Sequence, residues 1–378
     1  MPTHNIKQRL VIALIDGLGI DYFEEGPMPI LQEMREKGFY RPVKGVVPTV
    51  TNANNVSICC GAWPDEHGVF ANSYFDPLLG QAVYMNSADL IRVETIFQRA
   101  RRHGVRGALL TSKRKTVELF HKDTELAVAA EDPPAEFVKR YGVPPGIYTS
   151  EINEWLWKVA IDLLQTRPDI GVLYVHTTDY PMHRWAPDEA GSMVHLSQMD
   201  TLIGKARDAA PDAAFLITAD HGMNRKSRCW DLARVCHEKG VSLRFALSPE
   251  RDYYIQHHRN FAGTAWIWCR QPSDIDDVCG ICRSLEGVED ILPREEAARR
   301  FRLPEKKIGD LMVFGDRETV FGELETTGEV LRSSYRAHGS LYEQDVPLII
   351  HGWEGELPAD TYFTHNLDLT RFLFADHP

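Results

Sequence analysis

Three aspartates that each follow a short apolar run are the first residues of this 378-residue chain whose spacing suggests chemistry. Continuous apolar runs are typical of strands that are covered on both faces of a sheet. In parallel sheets ligands bind off the carboxyl ends of the strands, so we expect the three carboxylates to share one sheet edge. They are Asp16 after residues 10–15, Asp179 after residues 170–175 and Asp220 after residues 213–218.

Histidines accompany these aspartates. His183 follows Asp179 by four positions, one helical turn, so both side chains can project to one point if a helix begins there. His221 directly follows Asp220, and His338 precedes a glycine further along the chain. Three carboxylates and three imidazoles suit zinc or a similar divalent transition ion better than calcium or magnesium. We therefore predict two bound divalent cations with three ligands each, most simply Zn²⁺, with Mn²⁺ and Fe²⁺ as alternatives.

Each of these residues also has an ordinary structural explanation. An aspartate at the end of a strand is a common turn residue, and a histidine more often makes hydrogen bonds than binds a metal. Six such residues, four of them in two compact pairs, are harder to explain in this way. The spacing alone leaves a dinuclear metal site and purely structural roles both open.

A hydroxyl group stands at the start of a predicted helix within the segment PTVTNANNVSICCG, residues 48–61. The helix would begin at Thr51 and end at Gly61. A helix N-terminus offers unpaired N–H groups, so the Thr51 hydroxyl lies where an anion could bind. A threonine at this position is also an ordinary N-cap, and the segment alone does not separate the two interpretations.

The elements that must position these side chains alternate between apolar strands and amphipathic helices. This alternation predicts an α/β fold with a mostly parallel sheet and right-handed crossovers. A proline-rich patch after Lys115 and a less regular stretch from about residue 249 suggest two insertions. We therefore predict a metal-binding α/β core of residues 1–110, 165–248 and 330–378, with insertions 111–164 and 249–329 that form a lid or cap.

The composition is that of an ordinary globular protein, with 43% hydrophobic and 25% charged residues. A formal net charge of −12 argues against nucleic acid or a membrane surface as a partner. No apolar run is long enough for a membrane span, and the first residues lack the pattern of a secretory signal. Seven cysteines, an odd number, fit reduced thiols. We expect a cytoplasmic protein, and the sequence leaves a homodimer open.

The order and spacing of these residues resemble the alkaline phosphatase superfamily, in the branch with a threonine nucleophile that includes the nucleotide pyrophosphatases/phosphodiesterases. Within that branch the sequence resembles the phosphonoacetate hydrolases. The resemblance spreads over nearly the whole chain. It rests on residues 48–61, Asn72, Lys113-Arg114-Lys115, Thr178-Asp179-Tyr180 with His183, residues 218–223 and 292–322, and His338-Gly339 followed by residues 343–347.

The resemblance implies an alkaline-phosphatase-like three-layer sandwich with a mostly parallel central sheet and a smaller α+β cap. It also implies one zinc on Asp179, His183 and His338, and a second on Asp16, Asp220, His221 and Thr51. Thr51 would be the nucleophile, because a metal-bound hydroxyl loses its proton more readily than a free one.

The resemblance further assigns the substrate contacts. Asn72 matches an amide donor to the phosphoryl oxygen. Lys113 and Lys115, which we place on one face of an extended segment, match two lysines that bind the carboxylate of phosphonoacetate. The implied reaction cleaves the C–P bond through a phosphothreonine intermediate and yields acetate and phosphate.

Alternatives remain at this point. A phosphodiesterase or nucleotide pyrophosphatase would use the same metals and Thr51, and a related phosphonate could be the substrate. A metal-binding protein without turnover is a third hypothesis. The segment 116–145 matches no motif, His67 lies in a Pro-Asp-Glu-His-Gly turn that favours a structural role, and His257 and His258 are expected at the lid or the pocket mouth.

Overall fold

A seven-stranded central sheet organises the fold of this computed structural model, which describes residues 8–253 and 259–374. Five adjacent strands run parallel, and the strand Asp345–His351 is antiparallel to both of its neighbours. The predicted α/β fold with a mostly parallel sheet is therefore confirmed. In spatial order the strands are Phe39–Lys44, Asp345–His351, Ala213–Thr218, Arg9–Leu14, Ile170–His176, Arg106–Thr111 and Leu126–Ala129.

The central strands form because their apolar runs can be buried on both faces. All six residues of Ala213–Thr218 are buried, as are five of the six in Arg9–Leu14. Helices pack on both sides and complete a three-layer sandwich. One group consists of Pro29–Lys37, Glu151–Thr166 and Ala190–Ala209, and the other includes Thr51–Cys60, Pro64–His67, Ile96–Arg102, Arg114–Phe120 and Asp368–Arg371.

A smaller α+β unit with its own hydrophobic cluster covers one end of the sandwich. Its four-stranded antiparallel sheet follows the order Phe245–Leu247, Thr264–Trp268, Leu311–Gly315 and Val288–Pro293. The helices Leu232–Glu238, Ile275–Arg283 and Arg294–Phe301 pack around this sheet. Residues 249–329, which we predicted to form an insertion, supply most of this unit.

Smaller elements connect these layers. The short helices are Ile20–Glu25, Ala135–Tyr141 and Tyr180–Arg184. The short strands pair as Ser73–Asp76 with Gln81–Tyr84, Asn224–Arg225 with Arg336–Ala337, and Arg228–Trp230 with Thr319–Phe321 and Gly328–Val330. No helix in the described part of the chain is long and apolar enough to cross a membrane.

The segment 111–164 differs from the sequence-based prediction. Its strand Leu126–Ala129 is the edge strand of the central sheet, and its helix Glu151–Thr166 packs on that sheet and on Ala190–Ala209. We assigned both to an insertion because a proline-rich patch, residues 133–145, lies between them. The lysine pair also does not lie on one extended segment, since Lys113 is the N-cap of the helix Arg114–Phe120 and Lys115 lies in its first turn.

Candidate active site

The ends of three neighbouring strands bring the predicted aspartates together. In the sheet register Leu14 lies between His176 and Thr218, so the residues that follow each strand emerge at the same edge. Asp179 is the N-cap of the helix Tyr180–Arg184. The backbone N–H of His183 donates to the Asp179 carbonyl across one helical turn, which is the geometry that the four-residue spacing predicts.

Two groups of three side chains converge at this edge. Within each group, one ligand atom per residue lies within 4.8 Å of the others, and all six residues are buried. Thr51 lies beside the second group, with its Oγ1 3.4 Å from His221 Nε2. The structure thus brings together the six residues singled out from spacing. One group is Asp179, His183 and His338, and the other is Asp16, Asp220 and His221.

All three histidines of these groups are oriented in the same way by the backbone. Each Nδ1 lies within hydrogen-bond distance of a carbonyl oxygen, and a carbonyl can only accept, so each Nδ1 carries the proton. In a neutral imidazole the Nε2 lone pair then faces the interior of the group, which is the usual arrangement of metal-binding histidines. The distances are 2.8 Å from His183 to the Arg336 carbonyl, 2.9 Å from His221 to Gly222 and 2.7 Å from His338 to Thr49.

The carboxylate of Asp220 is fixed by backbone donors. Its Oδ1 accepts hydrogen bonds of 3.0 Å from the N–H groups of Gly17 and His221. Gly17 has φ +78°, and a Cβ there would lie 3.1 Å from the Cβ of Asp179, so the close approach of these loops favours glycine. Among the described residues no hydrogen-bond donor reaches Asp220 Oδ2 or Asp16 Oδ1, although both atoms are buried.

These observations fit a pair of cations. His183 Nε2 lies 2.9 Å from Asp179 Oδ2, and this contact between an imidazole lone pair and a carboxylate needs a proton or a cation between the atoms. The Lys113 ammonium already lies against two carboxylates, 3.1 Å from Asp16 Oδ2 and 3.4 Å from Asp179 Oδ1. A positive charge therefore stands among the aspartates even in the protein alone.

The electrostatics of the site depend on burial and on this lysine. Burial and the Asp16 charge raise the pKa of Asp220 well above its ordinary value. Burial also acts on Asp16, but Lys113 and His176 outweigh it and hold the pKa of Asp16 below its usual range. Burial, His221 and His183 lower the pKa of His338, which keeps its imidazole neutral and able to act as a ligand.

Thr51 is held at the start of the helix Thr51–Cys60, as the sequence predicts, and Gly61 ends that helix in a left-handed conformation. The ring of His221 beside Thr51 stacks on His338, with centroids 3.7 Å apart and planes at 11°. Thr49 connects the segment before Thr51 to the segment after His338, because its hydroxyl donates to the Ser340 carbonyl over 2.8 Å. Thr51 and both groups therefore belong to one packed unit.

Two of the three predicted substrate contacts, Asn72 and Lys115, lie against the loop that follows Ser248. The backbone N–H of Asn72 donates to the Pro249 carbonyl over 2.9 Å, and its side-chain amide lies 3.4 Å from the Glu250 carbonyl. Lys115 forms a buried ion pair with Asp252. Lys113 and Lys115 thus both contact protein carboxylates in this structure.

Three residues of the site were not singled out from the sequence, namely His176, Glu250 and Asp252. Asn55 Nδ2 donates to His176 Nδ1 over 3.2 Å, so the other ring nitrogen carries the proton and points to Asp16 Oδ2 at 3.3 Å. The position of His176 directly after an apolar strand could have suggested it. Glu250 and Asp252 come from a cap loop, and no local pattern connects them to the site.

His67 has a structural role outside the two groups. It is fully buried, accepts the Val69 N–H at Nδ1 and lies 2.8 Å from the Ser57 hydroxyl through Nε2. His257 and His258, expected at the lid or the pocket mouth, lie outside the described residues.

The sequence matches the family model of type I phosphodiesterase / nucleotide pyrophosphatase over residues 10–341. A bis(5'-adenosyl)-triphosphatase of Xenopus laevis is 26% identical over 237 residues, which cover 59% of this chain and 48% of that protein. A pyrophosphatase/phosphodiesterase of Schizosaccharomyces pombe is 26% identical over 247 residues, which cover 58% of this chain and 46% of that protein. The chain spans about half the length of these two relatives.

Solved structures match the whole fold. Phosphonoacetate hydrolase from Sinorhizobium meliloti, in complex with phosphonoacetate, superposes with a TM-score of 0.86 at 28% identity, covering 97% of this chain and 95% of that one. Murine ectonucleotide pyrophosphatase/phosphodiesterase 5 superposes with a TM-score of 0.69 at 16% identity, covering 96% and 93%. The predicted resemblance is thereby confirmed. The chain belongs to the type I phosphodiesterase / nucleotide pyrophosphatase family, a group of hydrolases within the alkaline phosphatase superfamily.

Proposed function

We propose that this protein hydrolyses the C–P bond of phosphonoacetate to acetate and phosphate, with Thr51 as the nucleophile. The observation that carries the proposal is the full-length similarity to a phosphonoacetate hydrolase, in fold and in sequence. The convergence of two buried Asp/His groups beside Thr51 supports it independently.

Each Asp/His group would hold one divalent cation. Asp179, His183 and His338 would hold the first, and the second group, Asp16, Asp220 and His221, would include Thr51 as a further ligand. When bound, such cations lower the pKa of a hydroxyl and stabilise negative charge on a phosphoryl group. Zn²⁺ suits the mixed oxygen and nitrogen donors, and Mn²⁺ and Fe²⁺ are alternatives.

Thr51 would attack phosphorus through its Oγ1. The C–P bond then breaks with its electron pair on the departing carbon, and the acetate enediolate takes a proton. Water hydrolyses the phosphothreonine, so one water is consumed for each acetate and phosphate. Asn72 and the backbone N–H of Thr51 would donate to the phosphoryl oxygens as charge develops there.

The leaving group explains why lysines belong in this site. A carbanion is a poor leaving group unless its charge spreads onto an adjacent carbonyl, and a cation beside that carboxylate stabilises the enediolate. Lys113 and Lys115 would supply this charge when the cations replace Lys113 among the aspartates. Both lysines are buried, so their interaction with a bound anion is weakly screened.

A second candidate function is phosphodiester or nucleotide pyrophosphate hydrolysis at the same centre. The Lys115–Asp252 ion pair favours it, because an alkoxide or phosphate leaving group needs no cation at a carboxylate. The same Thr51 and the same two groups would serve in that reaction.

Metal analysis combined with a three-substrate assay tests the proposal. We expect about two zinc ions per chain, and acetate and phosphate released from phosphonoacetate in equal amounts. The comparison substrates are an aryl phosphodiester and an aryl phosphomonoester. Lys113→Ala should reduce phosphonoacetate hydrolysis about a hundredfold and the other reactions far less. Hydrolysis of the diester without phosphonoacetate hydrolysis would support the second candidate, and equal losses on all substrates would exclude the assigned lysine role.

A further inference from the structure

The contact between Lys115 and Asp252 joins two parts of the chain that are 137 residues apart in sequence. Lys115 is 4% exposed and Asp252 5% exposed. A buried lysine and a buried aspartate are stable only as a pair, because either charge alone would be strongly destabilising. The charge of Lys115 is therefore already neutralised within the protein.

Residues 250–252 lie beside the candidate active site and contact other parts of the chain. The Asp252 N–H donates to Asn260 Oδ1 over 2.9 Å, and Arg251 forms an ion pair with Glu323. Two residues before Asp252, the carboxylate of Glu250 lies 3.9 Å from His338 Nδ1. The ion pair therefore adjoins the group of Asp179, His183 and His338.

The charges around Lys115 affect whether a substrate carboxylate can bind there. Lys113 and Lys115 contribute two positive charges, and Asp252 and Glu250 place two carboxylates beside them. Asp252 contacts the Lys115 ammonium directly, whereas the carboxylate of Glu250 lies beside His338. A substrate carboxylate that approaches Lys115 thus meets one carboxylate of like charge at close range.

Asp252 also has space on its other side. It borders a cavity of about 830 Å³ whose wall includes the guanidinium-bearing residues Arg251 and Arg259. Arg251 and Arg259 already form ion pairs with Glu323 and Glu329, so displacement of the Asp252 carboxylate from Lys115 toward this cavity would cost free energy.

From this geometry we propose that Asp252 is a specificity-determining residue that competes with the carboxylate of an anionic substrate for Lys115. This inference rests on the proposed function, since it concerns how the carboxylate end of a phosphonate is selected. Binding of a carboxylated phosphonate requires exchange of one ion pair for another, whereas a phosphonate without a carboxylate leaves the Lys115–Asp252 pair intact.

Binding measured without turnover tests the inference. The zinc-loaded Thr51→Ala protein would be titrated by calorimetry with phosphonoacetate and with ethylphosphonate, which lacks the carboxylate. In the Asp252→Asn background we expect the dissociation constant of phosphonoacetate to fall about tenfold, because the competing charge is gone. The dissociation constant of ethylphosphonate should change less than about twofold.

Three further variants separate this role from a structural one. Asp252→Glu keeps the charge and should keep the wild-type preference. Asp89→Asn removes the carboxylate from the exposed pair with Lys122 and should change the dissociation constant of neither phosphonate. Addition of Lys115→Met to Asp252→Asn should abolish the gain in phosphonoacetate affinity that Asp252→Asn alone produces. Melting temperatures show whether each variant is folded. If Asp252→Asn does not fold, the double variant Lys115→Met with Asp252→Asn, which leaves no unpaired buried charge, should bind phosphonoacetate about as well as the wild type, because the two removed charges offset each other. A large loss of affinity confined to phosphonoacetate in that double variant would overturn the inference.

The result that overturns the inference is an equal change for both phosphonates, or weaker phosphonoacetate binding in Asp252→Asn. The outcome is independent of the proposed reaction. A wild-type protein that releases no phosphate from phosphonoacetate would refute the proposed function, while the ratio of the two dissociation constants would still decide the role of Asp252.

Discussion

The ammonium group of Lys113 lies 3.1 Å from the Asp16 carboxylate, in the midst of residues that we propose to bind cations. Burial alone would lower the pKa of Lys113, but the carboxylates of Asp16 and Asp179 raise it above its ordinary value, so the group is charged. In the protein without metals this lysine is the counter-ion of the aspartates. Bound divalent cations would take over that role and release Lys113 toward the substrate.

Lys113→Met should therefore destabilise the metal-free protein much more than the zinc-loaded protein. Loss of one partner of a buried ion pair costs about 3–5 kcal/mol, which corresponds to a decrease in melting temperature of roughly 5 °C or more. Thermal unfolding with chelator and with zinc measures the difference. Lys122→Met, which removes the exposed partner of Asp89, is the control and should have little effect in either state. Equal destabilisation of the metal-free and zinc-loaded proteins would contradict the replacement of Lys113 by bound cations.

Thr51→Ala should abolish turnover and leave the metals bound. The hydroxyl is the only side-chain group of Thr51 assigned to the chemistry, and three other residues would hold each cation. We expect a loss of at least about a thousandfold in kcat/KM, with close to the wild-type zinc content. Thr51→Ser retains the hydroxyl and should keep activity within about tenfold. A variant that loses its zinc together with its activity would show that Thr51 acts mainly as a ligand.

His176 should affect metal affinity although it is not in either group of ligands. Its Nε2–H points to Asp16 Oδ2 at 3.3 Å, and hydrogen bonds of this kind orient metal-binding carboxylates. His176→Leu should weaken zinc binding about 10- to 100-fold in competition with a chelator. His176→Gln, which can still donate, should recover part of the loss.

The matched control for this experiment is His195→Leu. His195 is a second buried histidine, and it lies in the helix Ala190–Ala209 outside both groups. Its loss should reduce stability without a change in zinc affinity. Equal losses of zinc affinity in the two leucine variants would mean that His176 acts only through packing.

The sequence predicted those parts of the site that depend on local patterns. Apolar runs placed Asp16 and Asp220 at strand ends, and the four-residue spacing placed His183 one turn after Asp179. That these residues bind cations remains a proposal. The parallel order of the central strands explains their convergence, because parallel neighbours end at the same edge of the sheet.

The remaining features depend on contacts between distant segments. The apolar run in Asp345–His351 does not encode its antiparallel direction, and the short strand Leu126–Ala129 is hidden among turn-forming residues. Asp252 reaches Lys115 only because the cap folds over the sheet. We also predicted Lys113 and Lys115 to be extended, whereas tertiary contacts with Asp16 and Asp252 accompany the start of a helix at this position.

The free energy of unfolding should decrease on acidification because of His67. Burial lowers the pKa of His67 to about 3, while an unfolded histidine has a pKa of about 6.5. Between these values the unfolded state binds one more proton, so stability is lost as the pH falls below about 6.5. The loss approaches about 1.4 kcal/mol per pH unit and reaches roughly 3 kcal/mol at pH 4.5.

Urea unfolding of the metal-free protein between pH 7.5 and 4.5 measures this dependence. His67→Gln cannot take up the proton and should be less stable than the wild type at pH 7.5, because the buried contact with Ser57 changes. Its stability should nevertheless fall less steeply with acid, so that the difference between the two proteins narrows by up to about 3 kcal/mol at pH 4.5. His121→Gln, at an exposed position, is the control and should follow the wild-type curve. A constant difference between His67→Gln and the wild type across this range would show that His67 takes up its proton equally in both states.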